Sequence, residues 1–515
     1  MSISNYFFKI KIWIGKNPRE FWILFVILAV AAICRLYKID QFMTFLGDEG
    51  RDVIIVRRLF TELHPPLIGP GTSIGNMYLG PLYYYMMAPA LFLTAFSPVG
   101  PAVQIAILGV ITVWFVWFAG REWFGKTAGL IAAGLYAISP TVIVFSRSSW
   151  NPNIMPFFAL LSIYSIWKVW KEHKFKWLPI LGISFAFAIQ SHYLAIILIP
   201  TIAIFYLLTF RNLRLVKNSS LEIKNFLQKS LSGFLIFLGL MSPLLFFDIR
   251  HNWMNSQAIY KFFTVRQETV SIRPWNAIPK IPEILNLVSS SLLGGKNTMV
   301  ASTVSILVFL SALVVLIKKE RDNKNPAYLL ITWIGFALIG LGLYKQQIYD
   351  HYFGFIFVVP FLLIGAYISS LFETKKTYLK YLGGFLVIGL VLISLNSNPL
   401  RFSPNKQLSR SVNVAKKIEE ESGGKPFNLA VIAERNYEDG YKYFLLKDNF
   451  PITDINAQRP ETITDQLFAV CELFPAEKCD PTHNPKAQVA NFGWSKIDQK
   501  WEVDGAIIYR LVHLK

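Results

Sequence analysis

Apolar runs of membrane-spanning length recur from residue 21 to residue 396, and short loops rich in Lys and Arg separate them. A bilayer core of about 30 Å takes about 20 apolar residues as a helix. Lipid leaves no partner for free backbone groups, so each run predicts a helix and not an irregular segment. Composition agrees: 53% of the 515 residues are apolar and 16% are charged, against about 25% charged in soluble domains. That excludes an ordinary soluble enzyme. Aromatic residues make up 15% of the chain, a share suited to rings at membrane interfaces. Beyond residue 398 the sequence turns polar. The fold class expected is therefore mostly α, a polytopic membrane helical bundle over residues 1–397, with a small C-terminal α/β domain over 398–515.

The formal charge of +19 invites a nucleic-acid reading, but its placement argues against one. The cations cluster as Lys9, Lys11, Lys16 and Arg19; Lys171, Lys174 and Lys176; Arg211, Arg214 and Lys217; Lys318, Lys319, Arg321 and Lys324; and Lys375, Lys376 and Lys380. Patches that alternate with apolar runs set membrane orientation; they do not form one basic face for nucleic acid. No nucleic-acid partner is expected. The basic N-terminus precedes an apolar run, and no small-residue cleavage site follows Arg35-Leu36-Tyr37. An uncleaved signal-anchor is the expectation.

Twelve apolar segments can be marked, at roughly 21–37, 79–96, 101–119, 127–145, 152–170, 177–191, 193–210, 230–247, 298–317, 327–343, 353–371 and 382–396. Twelve crossings cannot put every basic loop on one side. Segment 79–96 is the least membrane-like, with Pro81, Pro89 and the run Tyr83-Tyr84-Tyr85. Proline removes a backbone donor that lipid cannot replace, and tyrosine prefers the interface. With that segment resting in the outer interface, eleven crossings remain and every basic loop is cytoplasmic. The loops 38–100 and 249–297, the turn 146–151 and the C-terminal domain then lie outside.

In the tail, residues 408–421 have helical periodicity and Gly423-Gly424 ends them. Residues 427–433, 467–470 and 506–509 predict strands, and 436–447 a second helix. Of the three cysteines, Cys34 sits in an apolar run. Cys471 and Cys479 both fall in the tail and are expected to form a disulfide there, since an outer compartment is oxidising.

Polar clusters gather at the predicted outer ends. The first outer loop reads Gly47-Asp48-Glu49-Gly50-Arg51-Asp52, followed by an amphipathic helix over Val53, Ile54, Val56 and Leu59. Asp48 and Glu49 at a helix start could simply complement its dipole; a carboxylate just above the bilayer could also take a proton from a hydroxyl. Ser146-Arg147-Ser148-Ser149-Trp150-Asn151-Pro152-Asn153 forms an outer turn in which Arg147 either snorkels to headgroups or holds a phosphate. Ser191-His192-Tyr193, Asp248-Ile249-Arg250-His251 and Tyr349-Asp350-His351-Tyr352 complete the set. Each alone reads as an interfacial belt; the last four, on the same side as the first loop, suggest a site. No Walker motif, dinucleotide-binding glycine pattern or His-Glu-x-x-His occurs, so a nucleotide-driven pump or a metalloprotease is unsupported.

In this order the features resemble the GT-C-fold glycosyltransferases of the protein O-mannosyltransferase and lipid A aminoarabinose transferase type. The matching elements are Gly47-Asp48-Glu49, the segment Gly80-Pro81-Leu82-Tyr83-Tyr84-Tyr85, and Ser139-Pro140 followed by Ser146-Arg147. The resemblance spans roughly residues 20–370. It implies a polyprenyl-phosphate-sugar donor and transfer to an acceptor hydroxyl on a protein, lipid or glycan, at the outer face of the cell membrane. Asp48 falls on the family's catalytic aspartate, with Glu49 beside it. The second acid that related enzymes carry in the next outer loop is replaced here by Trp150-Asn151-Pro152-Asn153, so no obligatory metal is expected, although a divalent cation is allowed for.

The substrate contacts expected are Arg147, Arg250 and His251 for the phosphate, and Arg51, Tyr83, Tyr84, Asn151, His192 and His351 around them. A developing phosphate charge is stabilised by guanidinium. The main rival is a transporter or lipid flippase, which would hold charges at mid-membrane; here the predicted span interiors are almost free of charge. A non-catalytic scaffold would leave the Asp48-Glu49 and arginine clusters without a purpose.

Overall fold

The computed structural model describes residues 11–72, 75, 77–215, 220–265, 269–317 and 324–514. Lys9, Lys217, Lys318, Lys319 and Arg321 of the basic clusters lie outside them. The apolar runs form the helices Pro18–Leu36, Val99–Phe124, Lys126–Ile138, Met155–Glu172, Trp177–Ser191, Leu198–Leu215, Ser220–Arg250, Thr298–Ile317, Lys324–Gly342, Val359–Glu373 and Thr377–Asn396. Among the described residues, five helical stretches are long and apolar enough to cross a bilayer unaided. A sixth arises if Asp350–Ile356 and Val359–Glu373, bent by 54°, form one broken span. The chain is a multi-pass membrane protein.

The expected run 127–145 is broken. Lys126–Ile138 ends at Ser139, and Pro140 opens a separate five-residue helix to Val144. Proline forces the preceding residue out of helical geometry and suits a first helical position. Charge inside the spans also departs from expectation. Lys168 is buried in Met155–Glu172 and pairs with Glu122 and Glu172, while Tyr164 donates to Glu122. Buried Glu20 accepts from Arg121 Nε at 2.6 Å and Trp117 Nε1 at 3.2 Å. These ions tolerate the interior because they come in pairs.

Segment 79–96 forms the helix Leu82–Leu93. Its twelve residues rise ~18 Å, well short of a ~30 Å bilayer core. It does not lie open along an interface: Tyr83, Tyr84, Met87 and Leu91 are fully buried. The helix packs against the first-loop helix Gly47–Thr61, Val99–Phe124 and Trp177–Ser191.

Residues beyond 398 build an α/β unit from the helix Gln407–Ser422, strand β1 (Asn428–Ile432), helix Asp439–Lys447, β2 (Gln466–Cys471), helix Ala487–Phe492, β3 (Ser495–Val503) and β4 (Ala506–His513). The sheet order is β1-β2-β4-β3. β1 and β2 are parallel with Val431 opposite Val470, and the other pairs are antiparallel. Sequence reading missed β3, Ser-Lys-Ile-Asp-Gln-Lys-Trp-Glu-Val, because its charges look like a loop. It is an edge strand, where charged side chains block unwanted pairing. Cys471, at the end of β2, is disulfide-bonded to Cys479.

One face of this sheet joins the membrane region. Val414, Ile418, Val431, Tyr443, Phe444 and Phe468 share a hydrophobic core with Phe45, Val53, Tyr83, Tyr84 and Leu91. The C-terminal unit is thus packed onto the first-loop helix, with the Tyr443 hydroxyl donating to the Phe96 carbonyl just past Leu82–Leu93.

Candidate active site

The first-loop helix begins at Gly47, and its start fixes three carboxyl groups. Glu49 turns back so that Oε2 accepts the Leu46 N–H at 3.0 Å, a capping bond to a donor the helix leaves unpaired. That buries it at 5% exposure, and burial pushes its carboxyl up to about 7. Asp52 is fully buried one turn on. Its Oδ1 accepts from Arg51 Nη2 at 2.8 Å, Arg51 Nε at 3.1 Å and Tyr84 Oη at 3.2 Å, while Oδ2 has no partner among the described residues. Burial raises Asp52 to about 6 against the pull of Arg51.

Asp48 differs from both. Its side chain is 40% exposed, and its Oδ1 accepts from Arg51 Nη1 at 2.8 Å and from the Tyr437 hydroxyl. Its Oδ2 accepts no hydrogen bond from the described residues. Of the three carboxyls, only Asp48 is open to solvent, so only its unpaired oxygen is within reach of a substrate. Arg51, between two acids, is held above its usual pKa by them although burial opposes this.

A second group lies behind the helix. Tyr83 Oη and Ser149 Oγ are 2.6 Å apart, tying Leu82–Leu93 to the 146–149 turn. In that turn Arg147 is 2% exposed; Nη2 donates to the Tyr37 carbonyl at 2.8 Å and the guanidinium stacks 4.6 Å from the Phe42 ring centroid. Burial lowers Arg147 to about 10, so it remains cationic at neutral pH. Arg35 is buried too, and its Nη1 donates to the carbonyls of Ala31 and Ala137. It meets the turn over Gly109: a Cβ there would lie 2.9 Å from Arg35 Nε and 2.7 Å from Ser146 Cβ. Arg35 Nε and Nη2, and Arg147 Nε and Nη1, have no partner among the described residues.

Other expected contacts are placed apart from these. Asn151 Nδ2 donates to the Ser191 carbonyl at 2.7 Å, joining two helix ends. His192 and His351 are half-buried with ring centroids 5.8 Å apart, and His351 packs on Trp150. Arg250 and His251 are exposed on their own helix, Arg250 over Phe246 and His251 stacked on Phe247. Neither is brought into contact with Asp48 or Arg147. Asp248 closes that helix end by accepting from Asn255 N at 2.7 Å and Ser256 Oγ at 2.6 Å.

Four residues of this region escaped the sequence reading. Arg35 sits at the end of an apolar run, and its burial could have been suspected from that position alone. Asp52 is four residues after Asp48, hence on the same helix face. Tyr437 and Asn436 carry no local signal.

Residues 79–247 match the family model described as dolichyl-phosphate-mannose-protein mannosyltransferase. No curated protein matches the sequence. Among solved structures, ArnT from Cupriavidus metallidurans bound to undecaprenyl phosphate is similar at a TM-score of 0.59 and 11% identity, covering 96% of this chain and 98% of its own. The archaeal oligosaccharyltransferase AglB from Archaeoglobus fulgidus, in complex with an inhibitory peptide and a dolichol-phosphate, follows at 0.52 and 13%, covering 89% of this chain and 70% of its own. Over nearly its whole length the chain shares the GT-C fold of these membrane proteins, and residues 79–247 carry the family match.

Proposed function

We propose that the enzyme moves a sugar from a polyprenyl-phosphate donor to an acceptor hydroxyl at the outer membrane face, with Asp48 as general base. One observation carries this reading: a partly exposed carboxylate with a free oxygen stands at the same end of the bundle as two buried guanidiniums that have unpartnered N–H groups. A buried cation without a counter-ion is costly, and a phosphate would supply the missing charge and acceptors. The similar solved structures of ArnT and AglB are bound to undecaprenyl phosphate and to a dolichol-phosphate respectively, which supports the donor class.

In the proposed step, Asp48 Oδ2 takes the acceptor's hydroxyl proton while the hydroxyl oxygen bonds to the anomeric carbon. The bond from that carbon to the donor's phosphate oxygen breaks, and its electron pair leaves with the polyprenyl phosphate. Arg147 and Arg35 stabilise the growing phosphate charge. The buried face of Leu82–Leu93 fixes the tyrosines that link the two groups, and its exposed Phe92 and Leu93 offer apolar surface to the prenyl chain. Positive-inside loops support a cytoplasmic N-terminus and an outer site. No obligatory metal enters the step, since Asn151 and Asn153 offer neutral amides.

The test is incubation of purified protein with a panel of radiolabelled polyprenyl-phosphate sugars, scoring product and released lipid phosphate. Asp48→Asn should lower turnover about 10²–10⁴-fold in a protein that still folds. Wild-type turnover by that variant would overturn the assignment.

A further inference from the structure

The free oxygen of Asp48 is only useful if the other is held, and half of its holding comes from the C-terminal unit. Tyr437 donates its hydroxyl to Asp48 Oδ1, and Arg51 Nη1 lies 3.2 Å from the same hydroxyl. Asn436 Oδ1 accepts the Gly47 N–H at 2.9 Å and also the Tyr437 N–H at 2.9 Å. Asn436 Nδ2 in turn donates to Glu472 Oε1 at 2.6 Å, an oxygen that also accepts from the Tyr441 hydroxyl. Upstream, the Phe45 N–H donates to Gln407 Oε1 at 3.1 Å. The segment from Phe45 to Arg51 is clamped at several points by residues beyond 400.

The glycines of Gly47-Asp48-Glu49-Gly50 make that clamp sterically feasible. A Cβ on Gly47 would lie 2.5 Å from the Tyr437 ring carbons, and one on Gly50 would lie 2.3 Å from the Asp439 backbone. Both distances are well inside contact, so any side chain at either position pushes the two elements apart. The glycine spacing of three puts both on one helix face, and that face meets residues 437–440.

We propose that Tyr437 is a positioning residue for Asp48, so that the catalytic constellation is completed only when the C-terminal unit is docked on the first-loop helix. The inference rests on Asp48 being the base. Tyr437 fixes the carboxylate rotamer through Oδ1 and aims Oδ2 at the acceptor; Arg51 alone leaves rotation about the side chain open.

The experiment is a double-mutant cycle in the full-length protein, with donor KM and kcat measured separately and thermal unfolding recorded for every variant. A hydrogen bond to a charged group corresponds to about a tenfold to hundredfold effect, so Tyr437→Phe should lower kcat by that factor and leave donor KM unchanged. In an Asp48→Asn background the same change should cost nothing further, which a purely structural loss would not reproduce. Gly50→Ala should copy Tyr437→Phe by pushing the clamp away. A tenfold or greater drop for Asp48→Asn together with wild-type kcat for Tyr437→Phe, or fully additive losses, would overturn the inference and leave the base intact. Wild-type kcat for Asp48→Asn would instead remove the base assignment itself.

Discussion

Arg35 and Arg147 are both buried, Arg35 meeting Ser146, the neighbour of Arg147, over Gly109, and four of their guanidinium nitrogens have no partner among the described residues. The arrangement is electrostatically unfavourable as it stands, because each cation has left water without a counter-ion. An anion that reached those free N–H groups would offset the cost.

The first prediction follows from that balance. Arg35→Met should raise the melting temperature of the ligand-free protein, because an apolar side chain of similar length replaces an unpaired buried charge. The same variant should raise donor KM about tenfold or more, since a charge-assisted contact is lost. Added undecaprenyl phosphate should shift the melting temperature of the wild type upward and that of the variant much less. Equal shifts in both would show that Arg35 does not meet the phosphate.

The second concerns pH. Glu49 is raised to about 7 in the folded protein from an ordinary 4.5, so between those values the folded chain binds more protons than the unfolded one. Stability from this group is complete below about 4.5 and is lost as pH rises through about 7. The loss amounts to about 3 kcal/mol on the usual conversion. Glu49→Gln should therefore flatten the pH dependence, melting higher than wild type at pH ~8 and close to it at pH ~4. Melting curves across that range check it, and parallel curves would refute it.

The third tests the buried ions away from the site. Glu122→Gln leaves Lys168 short of one of its two carboxylate partners, and destabilisation by about 1–3 kcal/mol is expected. Lys168→Met with Glu122→Gln should recover part of it. Sugar transfer at permissive temperature should be unaffected by either. Denaturation of the purified variants in detergent decides the sign.

The fourth concerns topology. Cysteines introduced at His64 and at Ser97, on either side of Leu82–Leu93, should react with an impermeant thiol reagent from the same, outer side of intact cells. The short length of that helix and the positions of the basic loops require it. Labelling from opposite faces would refute the eleven-crossing arrangement.

Much of this protein was legible in the sequence because lipid imposes simple rules. An apolar run must be helical, a basic loop must stay inside, and a proline-rich tyrosine segment is a poor span; these local constraints gave the bundle and set Leu82–Leu93 apart. The carboxylates Asp48, Glu49 and Asp52 are likewise consecutive in one helix turn or the next, so their grouping needed no tertiary information. Their division of labour did. Glu49 is buried and caps Leu46, Asp52 is buried against Arg51 and Tyr84, and only Asp48 keeps an unpaired oxygen open to solvent. That difference comes from burial and partner geometry, which residue type does not encode. Arg250 and His251 looked equivalent to Arg147 as polar residues at a span end, yet the fold leaves the first two in the open and encloses the third. The widest gap was Tyr437. It lies 389 residues from Asp48 in the chain, in what reads in the sequence as a separate small α/β domain, and the contact exists because two glycines let the backbones approach. Periodicity and motif reach only neighbours along the chain, whereas a contact between elements so far apart is settled by which surfaces pack together.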